Sequence, residues 1–340
     1  MMAARSDQPL TTQSGSALAE TNDPVPTMKE VLGRYAPYLA QCRLAICRDL
    51  AGAPMGSALS EYFGRGKMLR PLLLFAATAA VGGDPEFAVP AAQALELLHG
   101  ASLIHDDIVD AAKVRRGRPS LHRLIGLGPA VVLGDFLILR SYNVLAQVPS
   151  SRTLEALAAL SRCAEECCRG QAEEMVSAVE DEDTEDSYFS IIRRKTASPF
   201  VAAATVGGIL GEGSSEDIEA LADFALNLGM CFQIRDDEMD LAGDSASPRA
   251  GNPRQRTRAT IPVIYLKKYA SPAAFTSYCQ RQEDGATRSE LTALLRAEGI
   301  LDRLKTIKLL HLHRALEAAE RLRNADEMSA IASHSVYRNA

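Results

Sequence analysis

The chain has 340 residues, of which 47% are hydrophobic and 24% charged, with a formal net charge of -6. Such a composition supplies enough apolar material for one large core, and its acidic balance excludes a general nucleic-acid binder, so any phosphate site must be local. The seven cysteines show no disulfide-framework spacing and follow no secretory signal, which suggests a reducing, cytoplasmic setting; no apolar run looks long enough to span a membrane, so no span is expected.

Residues 1–26 are rich in Ser, Thr, Ala, Gln and Pro with little apolar periodicity. A disordered leader is expected there, ahead of one domain over 27–340. A helical pattern runs from Met28 to Asp49 and breaks between Gly52 and Gly56. YFGRGKMLRPLLLFAATAAVGG then reads as a basic turn opening an apolar helix. Lys67 and Arg70, three apart, are expected to project to one side near the helix start, where free backbone N–H groups favour an anion.

ELLHGASLIHDDIVDAAKVRRGRPSLH, from Glu96 to His122, is the most informative stretch. Its apolar residues at helical spacing predict a buried helix, yet it carries acids. Asp106 and Asp110 are i and i+4 on one face, and Asp107 lies about 100° round the same turn. Three carboxylates against apolar surface are costly unless cations neutralise them, and oxygen-only ligands suit a hard divalent ion such as Mg2+. Arg115 and Arg116 follow as adjacent guanidiniums, the group best matched to phosphate oxygens.

GPAVVLGDFLILRSYNVLAQ is apolar nearly all round and predicts a central helix, with Asp135 as a partnered structural acid. Residues 153–179 predict a long helix containing Cys163, Cys167 and Cys168. Zinc would need further ligands at matching spacing, so the three thiols read as packing or neutral surface. The acidic run EDEDTED reads as a solvated loop with Thr184 and Asp186 as capping candidates. YFSIIRRKTASPFVAAATVGGILG is another apolar helix bearing a basic turn, with Lys195 and Thr196. A helix over Ile218 to Leu241 repeats the acid spacing with Asp236, Asp237 and Asp240, and places Gln233 one turn before Asp237. Pro and Gly punctuate the helices that follow Arg258, and no stretch alternates apolar and polar residues, so no sheet is expected.

GKMLRP (66–71), LHGASLIHDDIVD (98–110), RRGRPSLH (115–122), RKTASPF (194–200), FQIRDDEMD (232–240) and the ATIPVIYL that follows, in this order and spacing, resemble the trans-isoprenyl diphosphate synthases of the polyprenyl synthetase family. The resemblance runs from about Met28 to the C-terminus. It implies an all-α fold of the isoprenoid synthase type, a single large helical domain around a central active-site cavity, and a homodimer. It also implies Mg2+ on Asp106, Asp107, Asp110, Asp236, Asp237 and Asp240. Isopentenyl diphosphate is expected on Lys67, Arg70, His99 and Arg116, and the allylic diphosphate on Lys195 and Thr196, with Arg115 and Gln233 also binding substrate.

Such a site would ionise the allylic diphosphate, let isopentenyl diphosphate attack the cation, and lose a proton; the proton acceptor is not legible. Ala101 and Ser102 lie about 6–8 Å deeper along the helix than Asp106. Members of the family making short products often place an aromatic plug there, so these small residues imply geranylgeranyl diphosphate or longer. In SPRAGNPRQRTRATIP, Arg249 and Arg258 stand where the family has lysines and Pro253 where it has an acid, which leaves a third metal ion, loop closure and primer choice open. Two rivals are a class I terpene cyclase, which usually carries a second metal motif of Asn, Ser and Glu type, and a non-catalytic partner subunit, which tends to lose acids that are all present here.

Overall fold

Thr27 starts the first helix with a capping box, its side chain bonding the Glu30 backbone and the Glu30 carboxylate reaching back. This computed structural model describes residues 26–53, 55–64, 66–180, 184–240 and 260–337. Residues 1–25 of the expected leader and the loop with Arg249, Pro253 and Arg258 lie outside the described residues. The helices are α1 (Met28–Leu50), α2 (Gly56–Phe63), α3 (Leu69–Ala80), α4 (Val89–Val109), α5 (Leu121–Ile125), α6 (Leu127–Ala146) and α7 (Thr153–Glu180). They continue as α8 (Glu185–Ile192), a π turn (Arg193–Ala197), α9 (Ser198–Leu210), α10 (Ser215–Asp240), α11 (Ile261–Tyr269), α12 (Pro272–Glu283), α13 (Arg288–Ala297), α14 (Ile300–Ala319) and α15 (Ala325–Tyr337). Thr184 caps α8, as expected, by accepting from Ser187 N–H.

Helices α3 and α9 are apolar nearly all round because both are buried in the middle of the main core. They meet backbone to backbone. A first side-chain carbon on Gly207 would stand 2.4 Å from the Leu74 carbonyl oxygen, and Thr78 Oγ1 donates to both Leu74 O and Gly207 O. A second apolar cluster, with Ile234, Ile261, Tyr265 and Leu304, joins α10 and α11 to the C-terminal helices. It backs the second acid motif.

Two expectations are corrected. A short antiparallel ladder exists: β1 (Val114–Arg115) pairs with β2 (Arg118–Pro119). Arg116 and Gly117 between them both have positive φ, 51° and 77°, the conformation of a two-residue hairpin turn whose twist suits antiparallel strands. With two residues per strand, no alternation could announce it. The 20-residue helix α6 is also long and apolar enough, by length and composition, to cross a membrane. Its apolarity has two causes: one side packs against the core through Leu133 and Leu137, whereas Val132 and Leu139 on the other side are 66% and 67% exposed.

Candidate active site

The π turn holds the site together. Pro199 has no N–H with which to close the α-helical bond onto Lys195 O, and Ser198 N–H instead reaches back five residues to Arg193 O. A glycine flanks the turn on each side. A first side-chain carbon on Gly170 of α7 would lie 2.8 Å from Lys195 N, and one on Gly229 of α10 would lie 2.6 Å from Ala197 Cα. Both helices can therefore close on the turn, which is a common use of π segments at functional sites.

Lys195 and Thr196, neighbours in this turn, connect the two acid motifs. Lys195 Nζ lies 2.9 Å from Asp106 Oδ1 and 2.8 Å from Glu174 Oε2. Thr196 Oγ1 donates to Gln233 Oε1 at 2.8 Å, and Gln233 Nε2 donates to Asp237 Oδ1 at 2.8 Å. Asp237 also accepts from Tyr188 OH at 2.8 Å and from Ile261 N–H at 3.3 Å. The turn thus joins the two motifs, Lys195 reaching Asp106 of the first and Thr196, through Gln233, reaching Asp237 of the second.

Arg115 and Arg116 are separated by the hairpin. Arg115 Nε donates to Asp107 Oδ1 at 2.6 Å, and its Nη2 donates to Asp106 Oδ2 at 3.3 Å. Arg116 turns the other way: a first side-chain carbon on Gly66 would lie 3.1 Å from Glu96 Oε1 and 3.7 Å from Arg116 Nη1. Asp107 is buried, at 1% exposure, and its Oδ2 has no hydrogen-bond partner among the described residues. Burial pushes its carboxyl up to about 6, against the pull of Arg115 and with Asp106 and Asp110 adding to the rise.

That orphaned oxygen is the observation that suits a cation. Asp106, Asp107, Asp236 and Asp237 form an all-oxygen set appropriate to magnesium, which takes few carboxylates and completes its shell with water and phosphate oxygens. Among the described residues no three acids or thiols converge closely enough to hold a metal by themselves, so the fit is to an ion shared with a diphosphate. Asp110 stands at the C-cap of α4, its N–H bonded to Asp106 O. The side chain of Asp240 lies outside the described residues; its backbone ends α10.

Beside the first motif is a cationic pocket. Arg70 Nη1 approaches His99 Nε2 at 2.9 Å, and its guanidinium lies over the Phe200 ring, 4.9 Å from the centroid. Because a guanidinium only donates, His99 Nε2 accepts and the neutral ring carries its proton on Nδ1. Burial and the charges of Arg70 and Arg116 hold that imidazole well below the usual histidine range. Lys67 does not share a helical face with Arg70. Helix α3 begins at Leu69, after Met68 with φ 53°, and Lys67 is exposed ahead of it.

Three contributors were not singled out from sequence. Glu96 is buried amid Arg70, Arg116 and Arg43, and burial pushes its carboxyl up. Arg43 of α1 donates to Gly64 O at 2.7 Å and Gly66 O at 3.0 Å, holding the loop before Lys67. Tyr62 OH is buried without a hydrogen-bond partner among the described residues, and the charges of Arg115, Asp107 and Arg116 act on it. Each depends on contacts far apart in the chain. Ala101 is fully buried in the main core, whereas Ser102 is exposed with its hydroxyl on His99 O; the two small residues therefore face different surroundings. Two surface clefts, one beside Pro272 and Arg281 and one beside Asp49 and Arg140, are lined by none of the acids of either motif.

The model of the polyprenyl synthetase family matches residues 54–295, and the chain belongs to that family. A short chain isoprenyl diphosphate synthase of Methanothermobacter thermautotrophicus is 34% identical over 272 residues, covering 78% of this chain and 84% of that protein. The fold is similar to that of geranylgeranyl pyrophosphate synthetase from Pyrococcus horikoshii, with a TM-score of 0.80 and 29% identity over 92% of this chain and 99% of that one. A polyprenyl synthase from Caulobacter crescentus, complexed with calcium and isoprenyl diphosphate, also superposes with a TM-score of 0.80, at 26% identity over 94% of this chain and 100% of that one.

Proposed function

We propose that this protein is a magnesium-dependent prenyltransferase that condenses isopentenyl diphosphate with an allylic diphosphate to give an all-trans polyprenyl diphosphate of geranylgeranyl length or longer. The observation that carries this reading is that adjacent residues of one turn engage both acid motifs, Lys195 on Asp106 and Thr196 through Gln233 on Asp237, flanked by the Arg70–His99–Arg116 pocket. Asp106 and Asp107, with Asp110 beside them, and Asp236, Asp237 and Asp240 would hold magnesium. Bound there, magnesium supplies Lewis-acid neutralisation of the departing diphosphate.

Lys195, Thr196, Gln233 and Arg115 line one diphosphate position. Lys195 gives up Asp106 to take a phosphate oxygen, and the Gln233 amide keeps the Thr196 hydroxyl turned inward. Lys67, Arg70, Arg116 and neutral His99 receive the second diphosphate, and Glu96 and Arg43 keep those cations and their loop in place. Neutral His99, with its proton on Nδ1, adds a hydrogen bond without adding charge. Holding both substrates in attack geometry accounts for much of the acceleration, because no protein nucleophile is needed. The apolar walls from α4 and α9 keep water from the allylic cation.

Two features support the rest of the reading. The exposed apolar face of α6, with Val132 and Leu139, suits burial against a second copy in a homodimer, which light scattering tests directly. The seven unpaired cysteines suit a reducing, cytoplasmic setting. The deciding experiment is incubation with isopentenyl diphosphate, magnesium and each of dimethylallyl, geranyl and farnesyl diphosphate, with products sized by mass spectrometry. Elongation by five-carbon units is expected. A hydrocarbon formed without isopentenyl diphosphate, or no turnover of any primer, overturns the proposal.

A further inference from the structure

Helix α2 ends in Tyr62 and Phe63, and contacts on three sides fix where that end lies. Phe63 presses on α4 beside His99: a first side-chain carbon on Gly100 would stand 2.2 Å from Phe63 Cζ. Glu61 pairs with Arg118 of the hairpin. Arg43 Nη1 reaches the Phe63 carbonyl at 3.4 Å and the Gly64 carbonyl at 2.7 Å. Tyr62 is thus held where α4 and the hairpin of Arg115 and Arg116 converge. Its ring meets that of Phe63 edge to face, with centroids 5.7 Å apart, and packs in part on the main core.

The hydroxyl at the tip of this ring is buried and has no hydrogen-bond partner among the described residues. A buried phenol ordinarily finds one, because an unmade bond leaves the desolvation of the group uncompensated. Asp107 Oδ2 is in the same condition; Arg115 Nε donates to the other oxygen, Oδ1. An orphaned donor and an orphaned acceptor therefore stand in one site without bonding each other. Arg115 and Arg116 only donate and so cannot take the phenol's proton. Their charges nonetheless act on the hydroxyl, as do those of Asp107 and Asp106. A group that accepts the proton in that company must offer oxygens and be drawn to guanidiniums, and a phosphate does both.

We propose that Tyr62 is a further substrate-binding residue, whose hydroxyl donates to a diphosphate oxygen at the seam between the two diphosphate positions. The inference deepens the reading of this pocket as a prenyl synthase site and rests on it. Arg115 belongs to the allylic position and Arg116 to that of isopentenyl diphosphate, and the two arginines are neighbours in the hairpin beside Tyr62. One proton serves one phosphate oxygen, so a single substrate gains the bond. An uncharged donor suits this place, because it adds a hydrogen bond to an anion that the arginines already neutralise and leaves the charge beside Asp106 and Asp107 unchanged. Burial pushes the phenol above its usual range, against the pull of Arg115, so it keeps its proton at neutral pH and remains a donor. Tyr62 and Phe63 are adjacent aromatics in the sequence, and folding gives them different tasks: one ring is seated on Gly100, and the other carries its hydroxyl to the site.

Tyr62→Phe separates binding from packing, since it keeps the ring against Phe63 and deletes only the hydroxyl. Without ligand, the variant loses a buried donor that bonds nothing. Its Tm is therefore expected to equal that of the parent or to exceed it by up to a few degrees. With ligand, it loses a hydrogen bond to a charged oxygen, worth about 10- to 100-fold in affinity for the diphosphate it contacts. Melting of the intact chain is measured alone, with isopentenyl diphosphate alone, and with magnesium and inorganic diphosphate. Steady-state kinetics then vary each substrate in turn. The stabilisation by one of the two probes is expected to shrink in the variant, and the KM of the matching substrate to rise: isopentenyl diphosphate for the first probe, the allylic diphosphate for the second.

A ligand-free Tm that falls in Tyr62→Phe overturns the proposal, because the hydroxyl then bonds protein and not ligand. Unchanged stabilisation by both probes with unchanged KM values also overturns it. So does an equal loss with both probes, which a single proton cannot produce. A parent protein that elongates no primer defeats the prenyl synthase reading, whereas the melting results with isopentenyl diphosphate and with inorganic diphosphate still decide the role of Tyr62.

Discussion

Lys195→Gln removes the ammonium that bridges Asp106 of the first acid motif and Glu174 of α7. Lys195 Nζ lies between Asp106 and Glu174, whose side chains are 20% and 16% exposed. Removing the ammonium takes a cation from between two partly buried carboxylates, although Asp106 keeps the guanidinium of Arg115, and costs about 1–3 kcal/mol. The loss lowers Tm by a few degrees for a chain of this size. A charge-assisted hydrogen bond from Lys195 to a diphosphate oxygen is worth about 1.5–3 kcal/mol, or about 10- to 100-fold in kcat/KM. That loss is expected for the allylic substrate, with the KM for isopentenyl diphosphate within about two-fold of the parent value. Because magnesium brings positive charge to the same acids, it is expected to raise the Tm of the variant more than that of the parent. Steady-state kinetics with each substrate varied in turn, and melting with and without magnesium, read both effects. An equal rise in both KM values, or a Tm that neither the substitution nor magnesium moves, would refute the role given to Lys195.

Ala101→Phe puts a ring where the structure has a fully buried methyl. It is expected to cost about 1–3 kcal/mol through overpacking and to shorten the product by at least one five-carbon unit; unchanged product masses remove Ala101 as a chain-length determinant. Gly170→Ala brings a carbon to 2.8 Å from Lys195 N, so the π turn must shift. The KM for the allylic substrate rises several-fold while that for isopentenyl diphosphate holds, and unchanged allylic kinetics refute the idea that this glycine positions Lys195. His311 lies 2.8 Å from Asn227 Oδ1, and burial, with Arg314 and Arg193, holds its ring down to about 4. Between pH 6.5 and 4 the unfolded chain binds more protons at this residue than the native one, so stability is full above 6.5 and is lost as pH falls through that window. Denaturant melts at pH 7 and pH 4.5 should show a smaller acid loss in His311→Gln than in the parent, and equal losses would exclude this histidine as a source.

Local sequence determined a good deal of this protein. Acids at i, i+1 and i+4 inside an apolar helix violate the usual rule for buried positions, and the violation is visible without any neighbour; its repetition at Asp236 and Asp237 made both motifs legible. Helical periodicity set α1, α7 and α10 to within a few residues, because burial on one face repeats with the helix. Thr184 was legible as a cap for the same reason, since a cap acts on the next turn.

Tertiary structure alone decided which side chains meet. Arg115 and Arg116 are adjacent in sequence, but a two-residue hairpin sends one to Asp107 and the other toward Glu96. Lys67 left the helix face expected of it because Met68 takes a left-handed conformation ahead of α3. The apolar run of α6 conceals two different faces, one packed and one exposed, since composition records how greasy a surface is and not what covers it. The thiol of Cys167 owes its surroundings to Ser198 and Lys195, about thirty positions along the chain. Periodicity reports on a residue's own turn, whereas charge, hydrogen bonding and reactivity depend on groups that only folding brings within a few ångströms.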